Sequence, residues 1–180
     1  MKNKSDLLSA PIGSLVFKLA IPNMLTMSMW VITFIIEGWY IGQLGVVPLA
    51  GLALGFPMLF LLLMLSAGTI GGAITGLVAQ KIGANDIKAA EEIALSGLIL
   101  TICLGIISAI IFLIFGEIIY ASLGAKNEVL EEVLRYSNVL FFGSFSIWVA
   151  NGMAGVVRAT GNMFIASFFL GLGSLVHIIL

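Results

Sequence analysis

Residues 93–116 read IALSGLILTICLGIISAIIFLIFG, a stretch without a single charged side chain. A helix needs about 20 apolar residues to cross roughly 30 Å of hydrocarbon, so this stretch is long enough to span a bilayer. Inside hydrocarbon, a helix satisfies the backbone hydrogen bonds of its own segment. The stretch therefore predicts a transmembrane helix.

Four further charge-free runs flank this stretch, at 19–36, 38–80, 136–157 and 159–180. The run 38–80 is about twice the length of one span. Its segment 42–48, GQLGVVP, has the glycine and proline pattern of a tight turn. We therefore predict five helices, over about 12–40, 48–80, 90–118, 130–157 and 163–180. The predicted fold class is an all-α integral membrane protein, a polytopic transmembrane helix bundle that forms a single domain over 1–180.

The composition of the whole chain is typical of a membrane protein. Of its 180 residues, 61% are hydrophobic and 9% are charged, whereas soluble domains carry about 25% charged residues. This balance excludes a soluble enzyme and a disordered tail. With 8 Lys and Arg against 9 Asp and Glu, the chain lacks the basic excess of a nucleic-acid binder. The single Cys103 allows no disulfide framework.

The positive charges indicate how the bundle is oriented. If the N-terminus is inside, most of the Lys and Arg side chains are cytoplasmic, as the positive-inside rule requires. The cytoplasmic set is Lys2, Lys4, Lys18, Lys81, Lys88 and Arg158, and the external set is Lys126 and Arg135. Trp39, Tyr40, Tyr120 and Tyr136 fall at predicted outer ends, as interfacial aromatic residues do. We predict a multi-pass protein of the cell (inner or plasma) membrane with a cytoplasmic N-terminus.

Glu37 is the only acidic residue inside an otherwise apolar span. An ionisable group at membrane depth is a candidate functional residue, because placing it there is costly. It could take up a proton, bind Na⁺ or attract a cationic drug. The alternative is that Glu37, just before Trp39 and Tyr40, extends to the outer interface with no further role. The sequence leaves both interpretations open.

Two further polar residues lie within predicted spans. His177 is the only histidine, and it is either a neutral side chain bonded to a neighbouring helix or part of a proton or cation site. Asn151 lies in the fourth span, where it either lines a substrate cavity or joins two helices by a hydrogen bond.

Glycine recurs every four residues in the second predicted helix, at Gly68, Gly72 and Gly76, and earlier at Gly51 and Gly55. Small residues on one face let two helices approach closely, so this pattern predicts a helix-packing surface. The alternative is a surface that slides or bends during a conformational cycle.

The chain has no nucleophile–base pair, no His/Cys metal set, no phosphate-binding loop and no Walker motif. We therefore predict that it is not an enzyme and that it needs no cofactor. Since no ATP site is visible, an ion gradient of H⁺ or Na⁺ is the energy source that remains.

Five segments together resemble the multidrug and toxin extrusion (MATE) family of transporters. They are LAIP at 19–22, EGWYIGQLG at 37–45, PLAG at 48–51, AQKIGAND at 79–86 and VRATGN at 157–162. The family typically has an acid a few residues before an Ile-Gly-x-Leu-Gly stretch, and an Arg-x-x-Gly turn between its fourth and fifth helices. The segments occur in order through nearly the whole chain.

The resemblance implies a twelve-helix antiporter of two six-helix lobes, of which this chain covers five helices of the first lobe. Glu37 stands where the family usually has the Asp of its coupling-ion site, and Thr33 lies one turn before it. His177 stands where the fifth helix of the family commonly has Asn. The last apolar run reaches Leu180 without a polar anchor. We therefore expect the chain to be incomplete at its C-terminus, with a second lobe in the same or another chain.

The function that follows is secondary active transport. We expect export of cationic or amphipathic drugs or metabolites by H⁺ or Na⁺ antiport, with the lipid bilayer and a small cationic substrate as partners and no nucleic acid. One alternative is a lipid-linked oligosaccharide flippase of a related fold, which would need more cationic residues than Arg158 offers. A second alternative is a non-transporting membrane scaffold subunit.

Overall fold

A computed structural model describes residues 11–179 as helices joined by short turns, with no strand in that range. The helices are α1 (Ile12–Gln43), α2 (Val46–Leu63), a π-helical segment (Met64–Gly71), α3 (Gly72–Gly83), α4 (Ile87–Ser122), α5 (Asn127–Phe142), α6 (Ser144–Ala159) and α7 (Met163–Ile179). The predicted all-α bundle is confirmed. Lys2, Lys4 and the predicted helix end at residue 180 lie outside the described residues.

Three of the described helical stretches are long and apolar enough to cross a membrane. They are Ala20–Gln43 within α1, Val46–Gly83, which joins α2, the π segment and α3, and Ile87–Ser122, which is α4. The pair α5 and α6 qualifies as a fourth span if the two are taken together, and α7 is apolar but shorter. In the most apolar window of α4, 11% of the residues are buried. Apolar side chains exposed on this scale suit contact with lipid rather than with water.

The structure divides the predicted helix 130–157 into α5 and α6, which are bent by 46° relative to each other. The break lies at Gly143, which stands between Phe142, the last residue of α5, and Ser144, the first residue of α6. Glycine and serine pairs are a common cause of helix kinks, because glycine has a weak helix preference and serine competes for backbone groups. The Ser144 hydroxyl is fully buried and donates to the Gly105 carbonyl of α4 at 3.4 Å.

The helix α6 is the centre of the bundle, since it packs against α4, α5, α7, α3 and the π segment. Besides the Ser144 contact with α4, further polar contacts join α6 to its neighbours. The Asn151 amide donates to the Ser66 hydroxyl at 3.0 Å, and the Trp148 indole donates to the Ser108 hydroxyl at 3.1 Å. The Thr75 hydroxyl donates to the Gly155 carbonyl at 3.0 Å. Each contact supplies a partner that lipid cannot offer.

The predicted glycine surface is only partly correct. Cβ atoms added at Gly68, Gly72 and Gly76 would meet nothing within 4 Å among residues 11–179. Gly51 does pack closely, because a Cβ there would lie 3.1 Å from the Glu132 Cβ. The reason for the difference is that Gly68, Gly72 and Gly76 lie on the exposed face of this span, away from its buried residues. The buried residues of the π segment are Ser66 and Gly71, whose spacing of five matches the i to i+5 hydrogen-bond pattern of a π-helix.

Gly155 of α6 lies against the π segment, where an added Cβ would be 2.7 Å from the Gly71 carbonyl oxygen. We expect Gly155→Ala to destabilise the bundle, because that carbonyl belongs to the backbone and cannot turn aside. The loss should be about 1–3 kcal/mol in the free energy of unfolding. It is measured as a lower Tm of the purified protein in detergent.

Gly76→Ala is the matched control for this experiment. Its methyl group would meet nothing within 4 Å in the described part of the chain. Alanine also forms helices better than glycine does, so this variant should keep or raise the Tm. Equal Tm values for the two variants would contradict close packing at Gly155.

Candidate functional site

The Glu37 carboxylate lies at a junction of three helices. It belongs to α1, and 17% of its side chain is exposed. The Tyr136 hydroxyl of α5 donates to Glu37 Oε1 at 3.2 Å. The His177 Nε2 of α7 lies 4.0 Å from Glu37 Oε2. The carboxylate is therefore turned toward α5 and α7, and each of its oxygens has a partner on another helix.

Glu37 also lines a cleft of about 400 Å³ between α1 and α7. The lining residues are Thr33, Ile36, Glu37, Tyr40, Ile41, His177, Ile178 and Ile179. Three of the residues named as site candidates, Thr33, Glu37 and His177, thus meet at one cleft. The other walls of the cleft are largely apolar, so Thr33, Glu37 and His177 have few other polar side chains near them inside the cleft.

The two predicted partners of Glu37 differ in exposure. Thr33 is buried, and its hydroxyl donates to the Met29 carbonyl of its own helix at 2.9 Å. Its oxygen can still accept a hydrogen bond or contact a cation. His177 has 61% of its side chain exposed and stands at the open side of the cleft. The cleft therefore has a fixed hydroxyl on one wall and an accessible imidazole on the other.

Tyr136 was assigned from the sequence to the aromatic interface and not to a site. Its ring lies over α2 at Gly55, where an added Cβ would be 3.0 Å from the Tyr136 Cδ1. A side chain at position 55 would thus push the ring out of place. Sequence periodicity can put Tyr136 on a face of α5, but it cannot show that the Tyr136 hydroxyl reaches Glu37 of α1.

Asn151 lies in a different part of the bundle. It is buried, and its amide bonds Ser66 where α6 crosses the π segment. It does not line the cleft beside Glu37. Of its two interpretations, the hydrogen bond between helices is present in the structure.

The chemistry available at the cleft is that of one carboxylate with protic neighbours. Within residues 11–179, no three His, Cys, Asp or Glu side chains come together as a metal site. The groups that could hold a small cation are the Glu37 carboxylate and the Thr33 hydroxyl, with the Tyr136 phenol beside them. Such a set can exchange a proton or contact a monovalent cation, and either event changes the charge on α1.

Comparisons with known proteins agree with the all-helical membrane fold and identify the family to which the chain belongs. The MatE family model matches residues 22–180. The chain is 27% identical to the FAD transporter of Shewanella oneidensis, over all of this chain and 40% of that protein.

Two solved structures are similar over the whole chain. One is a MOP superfamily transporter from Pyrococcus furiosus, and the other is a multidrug resistance MATE family transporter in an outward-facing conformation. Each is 30% identical with a TM-score of 0.90, and this chain covers 40% of each. The chain thus spans well under half the length of the relatives it matches. The resemblance seen in the sequence is confirmed, and this chain belongs to the MATE family of multi-pass membrane transporters.

Proposed function

We propose that this chain is part of a secondary active transporter that exports cationic or amphipathic drugs or metabolites in exchange for H⁺ or Na⁺. The observation that carries the proposal is the contact of Glu37 with Tyr136 and His177 at the wall of the cleft. The similarity to a multidrug resistance transporter supports the substrate class. Glu37, Thr33 and His177 form the proposed coupling-ion site.

Ion binding is coupled to helix position because the contacts of Glu37 join α1 to α5 and α7. The Glu37 carboxylate accepts a hydrogen bond from Tyr136 of α5 and lies 4.0 Å from the His177 imidazole of α7. When Glu37 binds the coupling ion, both contacts weaken because its negative charge is neutralised. The side-chain contact of α1 with α5 and the packing of α1 on α7 then change, and with them the cleft. One charge that crosses 100 mV supplies about 2.3 kcal/mol to this cycle.

The proposed transporter lies in the cell membrane with its N-terminus in the cytoplasm. Val78, Ala90 and Ala159 pack in one cluster, which brings the turns at 83–87 and 159–163 to the same end of the bundle. Lys81, Lys88 and Arg158 therefore lie at one end, which supports a cytoplasmic position for it. We further propose that a second lobe completes the cavity, and that the cycle uses no organic cofactor, no nucleic acid and no enzymatic step.

The relative from Shewanella oneidensis favours a second substrate, a flavin dinucleotide. FAD is anionic, so it would need cationic groups that the cleft beside Glu37 does not provide apart from His177. The transport assay should therefore include FAD as well as an organic cation. Export of FAD without export of cations would replace the proposed substrate class.

Glu37→Gln should abolish gradient-driven export, because the amide cannot release a proton or neutralise Na⁺. The test uses the full-length protein in proteoliposomes with an imposed H⁺ or Na⁺ gradient and follows ethidium fluorescence. The matched control is Glu117→Gln, since Glu117 is exposed on α4 and lies outside the cleft. Undiminished export in Glu37→Gln, with normal protein levels, would rule out the proposed role of Glu37, whereas no export by the unaltered full-length protein would favour a scaffold.

Tyr136→Phe should lower the concentration of coupling ion that gives half-maximal export. The substitution keeps the ring against Gly55 but removes the donor to Glu37 Oε1, so the free carboxylate is less well stabilised against the ion. A hydrogen bond to a charged group contributes about 1.5–3 kcal/mol, so the shift should be about tenfold or more. It is read from export rates over a series of ion concentrations. An unchanged half-maximal concentration would show that the hydrogen bond does not act on coupling.

A further inference from the structure

The two oxygens of the Glu37 carboxylate differ in their partners. Oε1 accepts the hydrogen bond from Tyr136 at 3.2 Å. Oε2 lies 4.0 Å from the His177 Nε2, which is beyond hydrogen-bond distance. When Nδ1 carries the imidazole proton, Nε2 has a free lone pair. A carboxylate oxygen and an imidazole nitrogen therefore face each other between α1 and α7, and both can act as ligands.

The separation of Oε2 and Nε2 suits a transition metal ion held between them. Zn²⁺ lies about 2.0–2.2 Å from such atoms, so two ligands of a tetrahedral ion are about 3.3 Å apart. From 4.0 Å, Nε2 would have to approach Oε2 by about 0.7 Å to reach that separation. The His177 side chain has room for this movement, because 61% of it is exposed.

The two donor atoms determine the class of metal. An imidazole nitrogen suits Zn²⁺, Cu²⁺ and Ni²⁺, whereas Mg²⁺ and Ca²⁺ bind oxygen ligands. A carboxylate that binds a metal is usually fixed by a further hydrogen bond. Tyr136 supplies that bond at Oε1 and leaves Oε2 for the ion.

The cleft beside the pair has space for the waters that would complete the coordination. Its volume is about 400 Å³, whereas one water occupies about 30 Å³ in the liquid. In the part of the chain that the structure describes, no third His, Cys, Asp or Glu joins Glu37 and His177. Two protein ligands and several waters make an open site, from which the ion can dissociate. The Thr33 oxygen lines the same cleft and can accept a hydrogen bond from a metal-bound water.

We propose that Glu37 and His177 bind a divalent transition metal ion such as Zn²⁺, and that the bound ion holds α1 against α7 and inhibits export. The metal site rests on the geometry of the two side chains. The inhibition rests on the proposed function, in which the contact between α1 and α7 changes when Glu37 binds the coupling ion.

The bound ion would extend an interface that is already close elsewhere. The Thr26 hydroxyl of α1 donates to the Ser167 carbonyl of α7 at 3.2 Å. A Cβ added at Gly171 would lie 3.3 Å from the Met29 Sδ. Glu37 lies roughly three helical turns beyond Thr26. A metal ion there would join the two helices at a second point and occupy the oxygen that the coupling ion needs.

The first test measures the Tm of the full-length protein in detergent, without a histidine tag, over a series of ZnCl₂ concentrations. Because the ion binds the folded protein, the Tm should rise by about 2–4 °C at ten times the dissociation constant. MgCl₂ should leave the Tm unchanged, since Mg²⁺ prefers oxygen ligands. No rise with ZnCl₂, or an equal rise with MgCl₂, would overturn the proposed site.

Glu37→Gln and His177→Gln should each abolish the rise with ZnCl₂, because each removes one of the two ligands. The matched control is Cys103→Ser, which removes an exposed thiol of α4 that lies outside the cleft and could itself bind Zn²⁺. The rise should persist in this control. A rise that is retained in His177→Gln, or lost in Cys103→Ser, would overturn the assignment to Glu37 and His177.

X-ray absorption at the zinc edge decides the question if a variant at Glu37 or His177 fails to fold. The sample is the unaltered full-length protein with one equivalent of Zn²⁺. The expected ligands are imidazole nitrogen and oxygen. A zinc ion bound by sulfur, or without an imidazole, would contradict the proposed site.

The second test follows export by the full-length protein in proteoliposomes. Zn²⁺ at its dissociation constant should lower the export rate about twofold, since half of the sites are then occupied. EDTA should restore the rate. Unchanged export despite the rise in Tm would overturn the inhibition. Failure of the proposed function would appear separately, as undiminished export in Glu37→Gln, and would leave the Tm results on metal binding intact.

Discussion

The interior of a bilayer offers no hydrogen-bond partner, and this constraint determines how the chain is built. Backbone groups are satisfied within helices, so the segment from Val46 to Gly83 can run as one helix although it contains a π turn. Polar side chains inside the bundle must form hydrogen bonds with groups on neighbouring helices. The pairs Asn151–Ser66 and Trp148–Ser108 both involve α6. The helix that carries these groups is therefore at the centre of the bundle, while the most apolar helix, α4, lies largely exposed.

The same constraint applies to Glu37. A carboxylate at membrane depth needs partners, and its partners come from two other helices, Tyr136 of α5 and His177 of α7. Neutralising the acid therefore does more than change a local charge, because it removes interactions that join three helices. Under the proposed function, ion binding at Glu37 would act on the neighbouring helices through a few atoms, without a long chain of intermediate residues. This connection makes the cleft the best candidate for the coupling site in the described part of the chain.

Much of the fold can be predicted from the sequence because it depends on local properties. Hydrophobic length predicts the helices, and the isolation of Glu37 in an apolar run identifies it as a candidate. Tyr136 could not be identified in this way, since its contact with Glu37 depends on how α1 and α5 are placed in three dimensions. The bend at Gly143 could not be predicted either, because the chain has 21 glycines and most of them do not interrupt a helix. A glycine permits a close helix approach only where another helix lies against it. Gly155 is such a glycine, because the Gly71 backbone lies against it.

The bent fourth span has a consequence for how the protein is made. The stretch Asn127–Ala159 carries a break and the buried polar side chains of Ser137, Ser144 and Asn151, so it is poorly suited to stay in lipid on its own. The partners of Ser144 and Asn151 lie in α4 and the π segment, which leave the ribosome first. Chain order therefore supplies the acceptors before the groups that need them. Membrane insertion of this lobe then depends on spans that are already in place, and damage to an early helix also prevents a later one from being retained.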